Sequence, residues 1–119
     1  MIMKCFSREA IDKEVLPGRV IQRAIGNNSF SRSQIMTVGF AHYSAEAGPM
    51  EPHQHAEEAI YVTGAKDGWV EYGPHKDNLE TKVALKSGMV LHVPEGEWHV
   101  FRYASGGFVD IVFMYAQVM

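Results

Sequence analysis

The chain has 119 residues, 46% hydrophobic and 21% charged, with a formal net charge of -3 and one cysteine. That length supports a single domain, residues 1–119, with one core, and that balance excludes an intrinsically disordered chain. The acidic sign argues against nucleic acid or an anionic membrane surface as a partner, no apolar stretch reaches the ~18–20 residues that span a bilayer, and a lone Cys5 excludes an internal disulfide.

The opening segment, MIMKCFSREAIDKEV, lacks the apolar core of a signal peptide, so the expected location is the cytoplasm. Cys5 has no base or basic partner in view and reads as a small apolar residue, not a nucleophile. Ser7 is placed to cap a short helical turn over Arg8–Lys13, with Glu9 near its positive end, and Pro17-Gly18 stops that turn. Short apolar segments then recur: Val20–Ile25, Ile35–Tyr43, Ala59–Thr63, Gly68–Tyr72, Thr81–Leu85, Met89–Val93, His99–Tyr103 and Phe108–Ala116. Between them stand GNNS, EAGPMEP, GAKDG, GPHKDN, KSG, PEGE and ASGG, rich in the residues that tight turns require. Strands at that spacing, without a long helix between them, predict an all-β sandwich or barrel. Gly64 and Gly68 frame Lys66-Asp67 and predict a hairpin between Ala59–Thr63 and Gly68–Tyr72. The last segment, FVDIVFMYAQVM, is apolar on both faces except at Asp110 and Gln117. Such a strand is central or covered by another subunit, and a homodimer is expected.

Two stretches carry chemistry. PHQHAEEAIYVTG, from Pro52, sets His53 and His55 one residue apart and Glu57 and Glu58 just before an apolar run. Each of these side chains can ligate a metal, and each is costly to bury without a partner. Downstream, GMVLHVPEGEWHVFRY places Pro94, Gly96 and His99 at fixed intervals after Gly88. The second stretch resembles the second motif of the cupin superfamily, G-x5-P-x-G-x2-H-x3-N, at every position but the last, where Tyr103 stands. The first resembles the first cupin motif, G-x5-H-x-H-x3-4-E-x6-G, with Gly48 one residue nearer His53 than the pattern has it. The likeness covers roughly Ile35–Tyr115.

The resemblance implies a double-stranded β-helix, a small antiparallel barrel with one open mouth. It also implies one divalent metal held by His53, His55, a glutamate and His99. Counting back six residues from Gly64 selects Glu57 as the carboxylate. Aligning the strand E-A-I-Y-V selects Glu58, which is the reading taken: a turn loses a residue more easily than a strand, where a one-residue slip sends the side chain to the other face. Neutral imidazoles with one carboxylate suit manganese, iron, nickel, copper or zinc and leave positions open to water or substrate.

Around that set, Tyr103, His42 and Glu57 are candidate proton-transfer groups. Phe101 shares a strand face with His99 and Tyr103, and Tyr61, Trp98 and His92 are further candidates for the pocket wall. His75, in GPHKD, reads as a surface turn. The fold implied hosts many reactions. The leading expectation is a metal-dependent isomerase, epimerase or lyase acting on a small polar molecule, a sugar or a hydroxy- or keto-acid. The alternatives are an iron-dependent dioxygenase and a non-enzymatic module that binds or senses a small ligand.

Overall fold

A computed structural model describes residues 2–116. After a 3-10 turn at Arg8–Ala10 come eight strands: β1 (Glu14–Leu16), β2 (Arg19–Gly26), β3 (Ser31–Arg32), β4 (Met36–Tyr43), β5 (Glu58–Gly73), β6 (Thr81–Ala84), β7 (Val90–Val93) and β8 (Trp98–Ala116). They form one sheet in the order β1-β2-β4-β8-β5-β6, with β3 added to β2 and β7 to β5. Every pairing is antiparallel except β2 with β3. Among the described residues, no helix is long and apolar enough to cross a membrane.

The all-β expectation holds, but the connection at Gly64–Gly68 differs from the sequence reading. The chain does not reverse there: β5 continues through it as one strand, paired with β8 from Glu58↔Tyr115 to Gly73↔Trp98. The ASGG segment likewise lies inside β8. Gly68 and Gly107 serve close approach between strands. A Cβ on Gly68 would stand 2.5 Å from Val109 Cγ2 and 2.7 Å from the Phe108 carbonyl, and one on Gly107 would collide with the Lys66 carbonyl. Register shifts between Val62 and Gly64 and between Lys66 and Gly68 mark bulges, which bend a strand and increase its twist. Composition alone cannot separate a glycine that bends a strand from one that ends it.

Alternation then decides what lies inside. Ile60, Val62 and Val70 of β5 and Phe101, Val109, Ile111 and Phe113 of β8 meet in a core with Ala41, Tyr43 and Ile21. Val62 and Val109 are fully buried. The last strand is central, between β4 and β5; its expected polar exception at Gln117 lies outside the described residues.

The N-terminal turn is shorter than expected. It is closed by the Ser7 carbonyl, which accepts from Ala10 N–H at 3.1 Å, and the Ser7 side chain makes no cap bond. What holds the segment is tertiary. Arg8 donates through Nη1 and Nη2 to Asp110 at 2.8 and 2.9 Å and through Nε to Gln22, and its guanidinium lies over the Phe40 ring. The segment thus straps the outer face of β2, β4 and β8, burying Ile11 and Gln22.

Candidate metal centre

The two sequence motifs are joined by backbone. His53 N–H donates to the His99 carbonyl at 3.0 Å and His99 N–H to the His53 carbonyl at 2.9 Å, an antiparallel bridge that links the loop before β5 to the start of β8. Gly96, in the left-handed region at φ +82°, donates its N–H to the His55 carbonyl at 3.1 Å. The Pro94–Gly96 turn therefore both reverses the chain and clamps the His53-Gln54-His55 loop. Glycine is required at Gly96 because an L side chain disfavours that φ.

The result brings His53, His55 and His99 together, with one ring nitrogen from each lying within 4.8 Å of the others. Ring centroids are 4.2 Å apart for His53 and His99, and 5.1 Å for His55 with either of the others. His55 Nδ1 sits 2.9 Å from the Ala56 carbonyl and His99 Nδ1 2.9 Å from the Glu97 carbonyl. Each can only donate to that oxygen, so the proton resides on Nδ1 and the lone pair on Nε2. Glu58 Oε1 lies 3.4 Å from His55 Nε2 and 3.9 Å from His99 Nε2.

Burial favours the uncharged form of His53 and His99. Desolvation, reinforced by the neighbouring rings of His99 and His55, pushes His53 down to about 3, and burial lowers His99 too. Desolvation pushes Glu58 up to about 7. Three imidazoles beside a buried carboxyl form a donor set that could hold a metal ion. A first-row divalent ion fits it by charge and by donor type.

The cluster opens into a cavity of about 440 Å³ between β2, β4 and β8, walled by Ile21, Ala41, Tyr43, Phe113 and Tyr115, with Arg19 at one side. The Tyr115 ring stands 6.0 Å from His55 and stacks on Phe113 at 5.9 Å. Burial raises the Tyr115 phenol, and the carboxyl of Glu58, its Cα partner across the sheet, adds to that. A second, apolar cavity of about 430 Å³ lies on the other side of His99, walled by Val70, Leu85, Leu91 and Val93.

The sequence-selected residues separate sharply. Glu58 faces the histidines and is 6% exposed; Glu57 faces out and pairs with His92 at 2.6 Å, both largely exposed. Glu57 is therefore placed away from the cavity. His92 borders the second cavity. Phe101 is buried beneath the site, 4.7 Å from the Tyr43 ring and 6.5 Å from His99. Tyr103 points elsewhere: its hydroxyl donates to the Gly48 carbonyl at 3.1 Å and ties β8 to the loop ahead of His53. His42 is on the outer face, its Nδ1 2.8 Å from Asp110 Oδ1, because Ala41 and Tyr43 take the inward positions of β4. Tyr61 and Trp98 are each out of phase with an inward residue, Glu58 and His99 respectively, so Tyr61 is 42% exposed and neither lines the histidine cavity. His75 is an exposed turn residue.

Arg19, Tyr43, Phe113 and Tyr115 are the cavity residues that sequence reasoning missed. Tyr115 had a usable signal, since alternation along β8 puts it in phase with Ile111 and Phe113. Arg19 had none, because its orientation follows from how β2 joins the sheet.

No family model matches the chain, and no curated protein matches its sequence. Solved structures do. The polyketide cyclase RemF from Streptomyces resistomycificus superposes with a TM-score of 0.75 at 20% identity, covering 98% of this chain and 81% of that one. KdgF from Halomonas sp. gives 0.66 at 16% identity, covering 99% and 96%. The DMSP lyase DddQ from Ruegeria pomeroyi DSS-3 gives 0.71 at 15% identity; 91% of this chain matches 57% of that longer one. The chain has the cupin fold, a double-stranded β-helix, and carries a three-histidine group that can hold a metal. At these identities the likeness establishes architecture, and what the protein does has to come from its own site.

Proposed function

We propose that the protein is a metal-dependent enzyme that moves a proton on a small oxygen-bearing substrate, as an isomerase, epimerase or lyase does. The carrying observation is the convergence of His53, His55 and His99 beside Glu58 at the base of a cavity large enough for a small molecule. In this reading His53, His55, His99 and Glu58 are the ligands. A divalent first-row metal bound there supplies Lewis acidity to a substrate oxygen.

The remaining work falls to side chains of the wall. Tyr43, Phe113 and Tyr115 exclude water and orient the carbon skeleton. Tyr115, its phenol raised by burial, holds its proton at neutral pH and presents it at Oη as a general acid. Tyr103, His42 and Glu57 have no part in this reading, since each is bonded away from the cavity. That the structural neighbours RemF and DddQ are a polyketide cyclase and a DMSP lyase supports reading this chain as an enzyme.

The test is elemental analysis of protein purified without chelator or a metal-binding tag, beside His99→Ala. Stoichiometric metal in the wild type, lost in the variant, is expected. Equal metal content in both, or no uptake by the wild type after incubation with zinc, manganese, nickel or ferrous ion, overturns the reading. Oxygen consumption by the iron-loaded protein with substrate would instead move it to the dioxygenase class.

A further inference from the structure

The histidine cavity contains one permanent cation whose role the metal reading leaves open. Among the described residues that line it, Arg19 is the only lysine or arginine. Three other arginines are matched to carboxylates: Arg8 to Asp110, Arg23 to Glu14 and Arg102 to Glu71. Arg19 is half-buried, and among the described residues no carboxylate forms an ion pair with it; Nη1 donates to the Pro17 carbonyl at a long 3.4 Å. A guanidinium drawn partly out of water without a counter-charge is unfavourable, and it is relieved when an anion arrives.

The position of Arg19 is also fixed. Gly18, at φ +86°, packs so closely on the loop ahead of His53 that a Cβ would stand 2.9 Å from Met50 Cα. Its N–H donates to the Ala47 carbonyl at 2.9 Å. These contacts lock the start of β2 against the segment that carries His53 and His55. Alternation does the rest: Val20 and Gln22 turn toward the N-terminal strap, and Arg19 and Ile21 turn into the cavity. Arg19 shares the wall of this cavity with His53, Tyr43 and Tyr115.

We propose that Arg19 makes this cavity selective for an anionic small molecule, a carboxylate joined to an apolar or aromatic body. The planar guanidinium presents paired N–H donors that match a carboxylate. The aromatic walls, Tyr43, Phe113 and Tyr115, take the apolar part. The inference deepens the proposed function by naming its substrate class and rests on that reading for placing substrate in this cavity. Arg19 acts as a specificity-determining residue; the proton transfer remains with Tyr115.

The experiment is calorimetric titration of zinc-treated protein with cinnamate and with cinnamamide, an acid and a neutral amide of the same shape. Wild type, Arg19→Met and Arg19→Lys are compared, with thermal melting to confirm that each is folded. The wild type should bind the acid at least tenfold more tightly than the amide. Arg19→Met should erase that preference by weakening the acid far more than the amide, and Arg19→Lys should retain part of it. An Arg19→Met protein that keeps the preference overturns the proposal. So does a wild type that binds both ligands equally or binds neither. Zinc content, measured on the same samples, separates the two readings. An acid preference that depends on Arg19 in protein without zinc leaves the Arg19 assignment standing and removes the metal. Stoichiometric zinc with a preference indifferent to Arg19 does the reverse.

Discussion

Asp110→Asn isolates the electrostatic latch between the N-terminal strap and the barrel. The substitution keeps size and one acceptor oxygen but removes the charge that Arg8 Nη1 and Nη2 meet at 2.8 and 2.9 Å, that His42 meets at 2.8 Å, and that the Thr63 hydroxyl also reaches. Burial by itself would raise the Asp110 carboxyl; the donors Arg8, Thr63 and His42 outweigh it and hold the group at about 2 against an ordinary 3.8. That interval corresponds to about 2.4 kcal/mol of native-state stabilisation. The Arg8 side chain is 35% exposed, so solvent screening reduces the expectation to roughly 1–2 kcal/mol.

The sign follows from linkage. A carboxylate depressed in the folded state contributes fully above its unfolded value and loses the contribution as the pH falls from 3.8 towards about 2. Urea unfolding of both proteins across that range, at low salt, is the assay. At neutral pH the variant should be less stable by roughly 1–2 kcal/mol, and the gap should close in acid. A gap under about 0.5 kcal/mol at neutral pH, the usual scale of a neutral surface change, or one that does not vary with pH, refutes the reasoning.

Gly68→Ala should cost about 2–4 kcal/mol in denaturant midpoint analysis, because its Cβ would meet Val109, which is fully buried, and the Phe108 backbone. Gly106→Ala, whose Cβ would enter open space at φ +80°, should cost only the backbone term of about 1–2 kcal/mol; equal losses would show that close approach is not the reason for Gly68. Tyr103→Phe removes one hydrogen bond to the Gly48 carbonyl and should lower stability by about 1 kcal/mol while leaving zinc uptake intact; abolished zinc uptake would return Tyr103 to the site. The outer sheet face exposes Tyr61, Val90, Met36 and Met114. Light scattering should find a homodimer that Val90→Lys converts to monomer, and a monomeric wild type would remove that expectation.

The three-histidine group was legible because the residue types that can hold a metal stand at particular spacings. His53, His55 and His99 stand at those spacings, and Pro94 and Gly96 mark the turn between them. Glu58 over Glu57 was legible from strand register alone, since alternation leaves only one of two neighbouring glutamates facing inward. Local chemistry could not say whether Gly64, Gly68 and Gly107 turn the chain or bend it. That depends on the partner strand: Gly68 must admit Val109 and Phe108, which lie some forty residues on. The same limit hid Arg19 and misplaced Tyr103 and His42. Which way a strand residue points relative to a metal is set by how distant strands pair, and for Arg19 and His42 that pairing joins β2 to β4 to β8. The candidate ligands are thus written in short stretches of sequence, whereas the cavity that faces them is written in contacts between segments far apart in the chain. Only packing of the whole barrel decides the second, because a side chain's surroundings are fixed by neighbours that the local sequence does not contain.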